Sequence, residues 1–246
     1  MFHIFNKKRF LVDALKGFVD IHNHLLPGID DGAKTVGDSI VMIREFESFG
    51  VTKFIATPHI MADYYPNTPT TIGNALGILK SELLMQGKEN ITIEAAAEHM
   101  IDASFENLFE NKEIMPLKFN YLLVEMSYLQ ASLNFDSAIE KITSAGFFPI
   151  LAHPERYRYL HSKRKVLKEY KRKNVLFQLN LLSLSDYYGS DIQKFAFQLL
   201  EKNKIDFVGS DVHTINQLKS LKEITVSEKV YDKIVPIVQN TIREFY

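Results

Sequence analysis

The stretch Phe18-Val19-Asp20-Ile21-His22-Asn23-His24-Leu25-Leu26-Pro27-Gly28-Ile29-Asp30-Asp31-Gly32 decides how this chain is read. Residues 18–21 form a short run of the kind a buried strand shows, and it leads into two histidines one residue apart. On an extended strand, residues i and i+2 point to the same side. His22 and His24 can therefore aim two imidazoles at one point where the strand runs out. Imidazole is the commonest protein ligand for transition metals. Pro27, Gly28 and Gly32 then turn the chain, and Asp30 and Asp31 put carboxylates in that turn.

Working outward, further apolar runs of strand length occur at 52–56, 91–97, 121–124, 147–152, 175–179 and 205–209. Helical patterns separate them. Thr35-Val36-Gly37-Asp38 reads as a capping box opening a helix that Gly50 stops, and further helices are expected over 72–85, 133–145, about 160–172 and 189–202. A polar loop with Tyr64-Tyr65-Pro66-Asn67 precedes the helix over 72–85. Alternation of short strands with helices predicts βα units around a parallel sheet. With no linker, repeat or low-complexity tract, 1–246 is expected to be a single domain. An N-terminal helix is expected within 1–16, over 6–16, and a helical tail over 216–246, kinked or split at Pro236.

The polar residues choose between an open sheet and a closed one. His22, His24, His59, Glu98, Glu125, His153, Asp211 and His213 all fall at the C-terminal ends of the strand runs. In a barrel those ends converge on one face, where the active sites of such barrels sit. In an open sheet they would be strung along a line. The fold class expected is therefore α/β, with a TIM-like barrel and a metal cluster at the C-terminal ends of its strands.

Composition sets the outer limits. The chain has 246 residues, 46% hydrophobic and 24% charged, with a net charge of −1. That charge argues against broad electrostatic binding of nucleic acid, and no run approaches the length of a membrane span. Met1 to Phe10 lacks the apolar core of a secretory signal. The absence of cysteine excludes thiol nucleophiles and thiolate metal sites and fits a reducing compartment, so a cytoplasmic protein is expected. Any metal must be held by His, Asp and Glu, which suit manganese, iron, zinc or magnesium.

Five histidines and three acids exceed the needs of one ion, which takes four to six ligands. Two metals, or three, are expected. A pair of ions about 3.5–4 Å apart can activate a water and clamp both oxygens of a displacement, which suits phosphate ester hydrolysis. Arg156, in the loop after His153, offers the bidentate phosphate contact that guanidinium makes well. His99 follows Glu98 and is read as pocket lining or packing; His3 and His161 are read as surface residues.

Asp20-x-His22-x-His24, Thr57-Pro58-His59, Glu98, Glu125, His153-Pro154-Glu155-Arg156 and Ser210-Asp211-x-His213 resemble the motifs of the PHP (polymerase and histidinol phosphatase) superfamily. The spelling of 22–32, the loop Tyr64-Tyr65-Pro66-Asn67-Thr68-Pro69 and His153-Pro154-Glu155-Arg156 resemble more particularly the bacterial manganese-dependent protein-tyrosine phosphatases of the CpsB/YwqE type. The resemblance runs from about 17 to 214. It implies a distorted (β/α)7 barrel and a trinuclear cluster, with Mn2+ the usual ion and Fe, Zn or Mg able to substitute. The eight residues above would be its ligands and Arg156 would hold phosphate. It implies as partner the phosphotyrosine of a bacterial tyrosine autokinase that controls capsule and exopolysaccharide synthesis. That branch often carries a second arginine past its Asp-x-His motif. Here 214–221 offers only Lys219, so a second phosphate contact falls to Lys219, Arg158 or another residue.

Asp30 or Asp31 is the candidate to assist the leaving tyrosinate, whose ordinary pKa is about 10, or to orient a ligand; Asp31 is taken as the catalytic one. Tyr64 and Tyr65 are candidates to stack on a phosphotyrosine ring. Other readings are a phosphatase of a small metabolite such as histidinol phosphate, a metal-bearing interaction module without turnover, and a barrel amide hydrolase. The sequence leaves the oligomeric state open. The apolar positions of the tail (Val230, Ile234, Val238, Ile242) fit either closure of the barrel bottom or a subunit interface.

Overall fold

The computed structural model describes residues 8–246, Arg164 by its backbone alone. The elements in the first half are β1 (Lys8–Phe10), a 3-10 turn (Leu11–Ala14), β2 (Val19–Asp20), α1 (Val36–Glu47), β3 (Lys53–Ala56), β4 (His59–Ile60), α2 (Pro69–Met85), β5 (Thr92–Ala95), β6 (Glu98–Met100) and α3 (Phe105–Glu110). Then come β7 (Tyr121–Glu125), α4 (Phe135–Ser144), β8 (Phe148–Ala152), α5 (Arg164–Arg172), β9 (Leu176–Asn180), α6 (Ser190–Glu201), β10 (Phe207–Gly209), α7 (Ile215–Glu223), β11 (Thr225–Ser227) and α8 (Glu228–Phe245). Short 3-10 turns follow β8 (Pro154–Arg156, Arg158–Leu160) and β9 (Leu181–Leu184).

Parallel pairing orders β10-β9-β8-β7-β6-β4 in one sheet and β2-β3-β5 in another. β3 and β4 lie on one strand path, broken at Thr57-Pro58, where proline has no N–H for the ladder. Hydrogen bonds carry across the breaks: the Ala96 N–H donates to Ala56 O at 2.8 Å and the Glu98 N–H to Pro58 O at 3.1 Å. Asn23, beyond β2, forms a parallel bridge with Val212, beyond β10. The result is an α/β fold built on a curled parallel sheet.

The curl explains the site's position. One apolar cluster gathers Ile55, Ala96, Leu123, Ile150, Ala152 and Phe207 from successive strands. At two-residue steps toward the C-terminal ends, the same strand faces turn polar. Leu123 is followed by Glu125, Ala96 by Glu98, and Leu176 by Gln178 and Asn180. All of these polar side chains are buried. At the other end α8 plugs the cluster: the Phe245 ring lies 5.1 Å from Phe207 and 5.2 Å from Tyr121. Ile234 and Val238 are fully buried, so this stripe of the tail packs inward.

Local chemistry sets the helix starts. Thr35 is the N-cap of α1, with both halves of the capping box formed to Asp38. Thr68 with Thr71, and Thr214 with Gln217, do the same for α2 and α7.

Four expectations are corrected. Within 8–16 the chain forms a strand and a 3-10 turn rather than a helix, because β1 pairs antiparallel with β11; residues 1–7, including His3, lie outside the described residues. The tail divides at 224–227, where β11 supplies that partner, and not at Pro236, which sits exposed inside α8. His59 and Glu98 do not follow strand ends but lie on β4 and β6, directly opposite one another in register. His161 is half-buried and not free: its ring stacks on Phe195 at 4.2 Å and its Nε2 lies 2.7 Å from Glu155 O.

His99 packs in the core. Its Nδ1 donates to Leu123 O at 3.0 Å, and its Nε2 accepts the Met115 N–H at 3.2 Å, so only the neutral ring fits. Burial holds its pKa down to about 4. The unfolded chain therefore protonates first, and this contribution to stability is complete above about pH 6.5 and lost as pH falls toward 4. Its full size is on the order of 3 kcal/mol. In urea titrations across that window, His99→Gln should show a shallower loss of stability with acid than the native chain. Parallel curves would refute the assignment.

Candidate metal centre

The curled sheet brings every sequence-predicted ligand to one place. Three groups each offer ligand atoms lying within 4.8 Å of one another: His22, Glu98, His153 and Asp211; His59, Glu98 and Glu125; and His24, Asp31, His59 and His213. Glu98 and His59 are each shared by two groups. Asp31, expected to assist the leaving group or to orient a ligand, sits among the possible ligands.

His153 Nε2 pairs with Glu98 Oε1 at 3.1 Å, but other donor atoms approach one another without that geometry. His59 Nδ1 lies 2.8 Å from Glu125 Oε1 and 3.1 Å from Glu98 Oε2, and His22 Nε2 lies 3.2 Å from both Glu98 Oε2 and Asp211 Oδ1. Yet His22 Nε2, His24 Nε2, His59 Nδ1, Glu98 Oε2 and Glu125 Oε1 are buried with no partner in hydrogen-bonding geometry. Atoms aimed past each other at a shared point are what a bound cation requires, and buried polar atoms otherwise find partners.

Charge gives the same answer. Asp30, Asp31, Glu98, Glu125 and Asp211 crowd together, and among the described residues Arg156 is the one lysine or arginine paired with any of these carboxylates. Burial pulls the His22 and His24 imidazoles down. Facing carboxylates outweigh it and lift them to about 9 and about 10, Glu98 and Asp211 acting on His22 and Asp30 on His24. Burial likewise raises Glu98 and Asp211, but facing imidazoles, His22 foremost, hold both well below the carboxylate range. Divalent cations would replace those protons, as metal binding to such sites does. Oxygen and imidazole donors in this number fit them.

Neighbours fix the candidate rings. His22 Nδ1 lies 2.8 Å from Gln178 Oε1, an amide oriented by its own Nε2 donating to Leu179 O at 2.7 Å. His24 Nδ1 lies 2.8 Å from Asp30 Oδ2, and His213 Nδ1 donates to Asp211 O at 2.9 Å. Each contact places the proton on Nδ1 and leaves Nε2 to face the cluster. Gln178→Met, which keeps volume and removes the acceptor, should weaken metal binding about 10- to 100-fold. A competition titration with a metal indicator reads this, and unchanged affinity would show Gln178 to be passive.

Backbone strain marks the same residues. His153 (φ 35°) and Asp211 (φ 52°) hold left-handed conformations just past β8 and β10. Gly32 admits no side chain: a Cβ there would lie 2.2 Å from His24 O.

Arg156 is held in place before any substrate arrives. It donates to Asp211 Oδ2, and its guanidinium lies 4.6 Å from the Tyr128 ring centre and 4.2 Å from that of Tyr188. Asn180 Nδ2 also donates to Asp211 Oδ2, at 2.8 Å, and buried Glu155 accepts the Asn180 N–H and the Ser183 hydroxyl. Gln178, Asn180, Glu155, Tyr128 and Tyr188 carry no role in the sequence reading. For Gln178 and Asn180 a signal existed, two amides at i and i+2 in an otherwise apolar strand. The tyrosines gave none.

A cavity of about 1020 Å³ opens over the cluster, with Asp31, His59, Glu125, Arg156, Asp211 and His213 in its lining. Among the described residues Arg156 is its only lysine or arginine; Arg158 and Lys219 are exposed elsewhere. Tyr65 stacks on His59 at 5.5 Å, and Tyr64 stands exposed at the mouth.

Sequence and structure comparisons both find relatives of one family. The sequence profile of the family described as "Capsular polysaccharide synthesis, CpsB/CapC" matches residues 18–233. Tyrosine-protein phosphatase YwqE of Bacillus subtilis is 29% identical over 223 residues, covering 89% of this chain and 87% of that protein. Tyrosine-protein phosphatase CpsB of Streptococcus agalactiae is 26% identical over 204 residues, covering 80% and 84%. A crystal structure from work on B. subtilis YwqE and Streptococcus pneumoniae CpsB, called metal-dependent tyrosine phosphatases, superposes with a TM-score of 0.78 at 26% identity, over 93% of this chain and 95% of that one.

Proposed function

The chain belongs to the CpsB/CapC family of capsular polysaccharide synthesis, and from that premise we propose that it is a metal-dependent protein-tyrosine phosphatase. The observation that carries this reading is the set of buried, unpartnered imidazole and carboxylate atoms aimed at shared points beside Arg156. We read His22, His24, His59, Glu98, Glu125, His153, Asp211 and His213 as ligands, with Asp31 joining them. Burial raises the Asp31 carboxyl, but the His59 hydrogen bond and the His213 charge outweigh it and keep it ionised, which suits a ligand better than a proton donor.

We take the curled sheet as a distorted (β/α)7 barrel within a single PHP-type domain spanning 1–246; the Asn23–Val212 bridge supports closure. Bound divalent ions, Mn2+ by family resemblance, would supply water activation and counter-charge for a phosphate ester displacement. The chain's own part is to bind and orient. Arg156, fixed by Asp211 and two tyrosine rings, presents donors to the phosphoryl oxygens. The cavity of about 1020 Å³ beyond it has room for more than a phosphate group, which accommodates a phosphotyrosine carried on a polypeptide. The partner in this reading is the phosphotyrosine of a bacterial tyrosine autokinase in the cytoplasm.

The test is substrate choice. The manganese-loaded chain should hydrolyse phosphotyrosyl peptides far faster than histidinol phosphate or phosphoseryl peptides. High efficiency on histidinol phosphate with little on any phosphopeptide would replace this reading with the metabolite one.

A further inference from the structure

The cavity extends past the candidate metal centre, and its outer lining sets leucines among polar and acidic side chains. Leu129 and Leu133, on the loop between β7 and α4, line it while 91% and 99% exposed, and Tyr64 joins them at 75%. Leucine side chains held in water at the lip of a functional cavity mark a contact surface more than a packing accident. The surface is also built. Asp102 ties three loops together: its carboxylate accepts the Ala62 N–H at 3.2 Å and the Ser104 N–H at 2.8 Å, and its carbonyl accepts from Asn134 Nδ2 at 2.8 Å. The Ser137 hydroxyl donates to Glu106 Oε1 at 3.1 Å, securing α4 to α3. These bonds tie the neighbouring loops together, and Leu129 and Leu133 stand exposed beside them.

We propose that Leu129 and Leu133 form a subsite that holds an apolar or aromatic side chain flanking the phosphotyrosine of a polypeptide substrate. This rests on the phosphatase reading and adds the sequence class selected. The occupant follows from continuity: the same cavity contains Arg156 and the candidate ligands, so a chain whose phosphate reaches Arg156 lays its neighbouring residue along this lip. The acidic side chains there, Asp63, Asp102 and Glu106, disfavour acidic neighbours.

The test uses the full manganese-loaded chain and two fluorescent peptides bearing a non-hydrolysable phosphonate analogue of phosphotyrosine, one with leucine beside it and one with glycine. The native chain should bind the leucine peptide about tenfold more tightly, as burying one leucine implies. Leu129→Ser/Leu133→Ser should erase that preference. Both positions are exposed, so the variant should fold, and circular dichroism confirms it. Equal binding of the two peptides by the native chain, or an undiminished preference in the variant, would overturn the proposal. Hydrolysis of p-nitrophenyl phosphate, which has no flanking residue, reports on the phosphatase reading separately.

Discussion

His59→Ala is expected to cut phosphotyrosine hydrolysis on the order of a thousandfold or more, the largest effect of any single change. His59 is shared by two of the three groups of possible ligands, facing Glu98 and Glu125 through Nδ1 and Asp31 through Nε2 at 3.4 Å. Removing it would disturb both of those groups at once. Metal stabilisation of the transition state amounts to several kcal/mol, and about 1.4 kcal/mol is a factor of ten in rate. The fold should survive, because His59 borders the cavity and water can enter the space left behind. Rates should be read beside metal content and a thermal melt. Native activity in a folded His59→Ala protein would remove His59 from the site.

Arg156→Ala should follow, with a loss of about a hundred- to a thousandfold in kcat/KM, the range seen when one donor to developing negative charge is removed. No second lysine or arginine lines the cavity among the described residues, so no other cationic side chain there compensates. The loss should appear in both KM and kcat, since the guanidinium meets phosphate charge before and during reaction. Arg156→Lys should stay well below the native rate. An ammonium keeps the charge but loses the planar fork and the stacking between Tyr128 and Tyr188. Native kinetics in Arg156→Ala would move phosphate recognition entirely to the metal ions.

Much of this site was legible because metal chemistry leaves residues that periodicity does not explain. His22 and His24 at i and i+2, and Glu98 and Glu125 at the ends of apolar runs, are costly places for polar groups unless something binds them. What stayed hidden depends on contacts between distant segments. Asp30 and Asp31 are neighbours in one turn, yet one orients His24 and the other faces His59 and His213. Nothing local separates them. Gln178 acquires meaning only once β9 lies against β10 and opposite His22. The N-terminal error has the same origin: Phe10, Leu11, Ala14 and Leu15 carry a helical spacing, and pairing with β11, more than two hundred residues on, overrode it.

The most direct measurement is the rate of phosphotyrosyl-peptide hydrolysis by the purified chain, taken as isolated, after exhaustive removal of metal with EDTA, and after manganese is restored. Turnover is expected to vanish with the metal and return with manganese, in step with the metal content of the protein. A rate that persists unchanged in protein verified to be metal-free would contradict a metal-dependent site at His22, His24, His59, Glu98, Glu125, His153, Asp211 and His213.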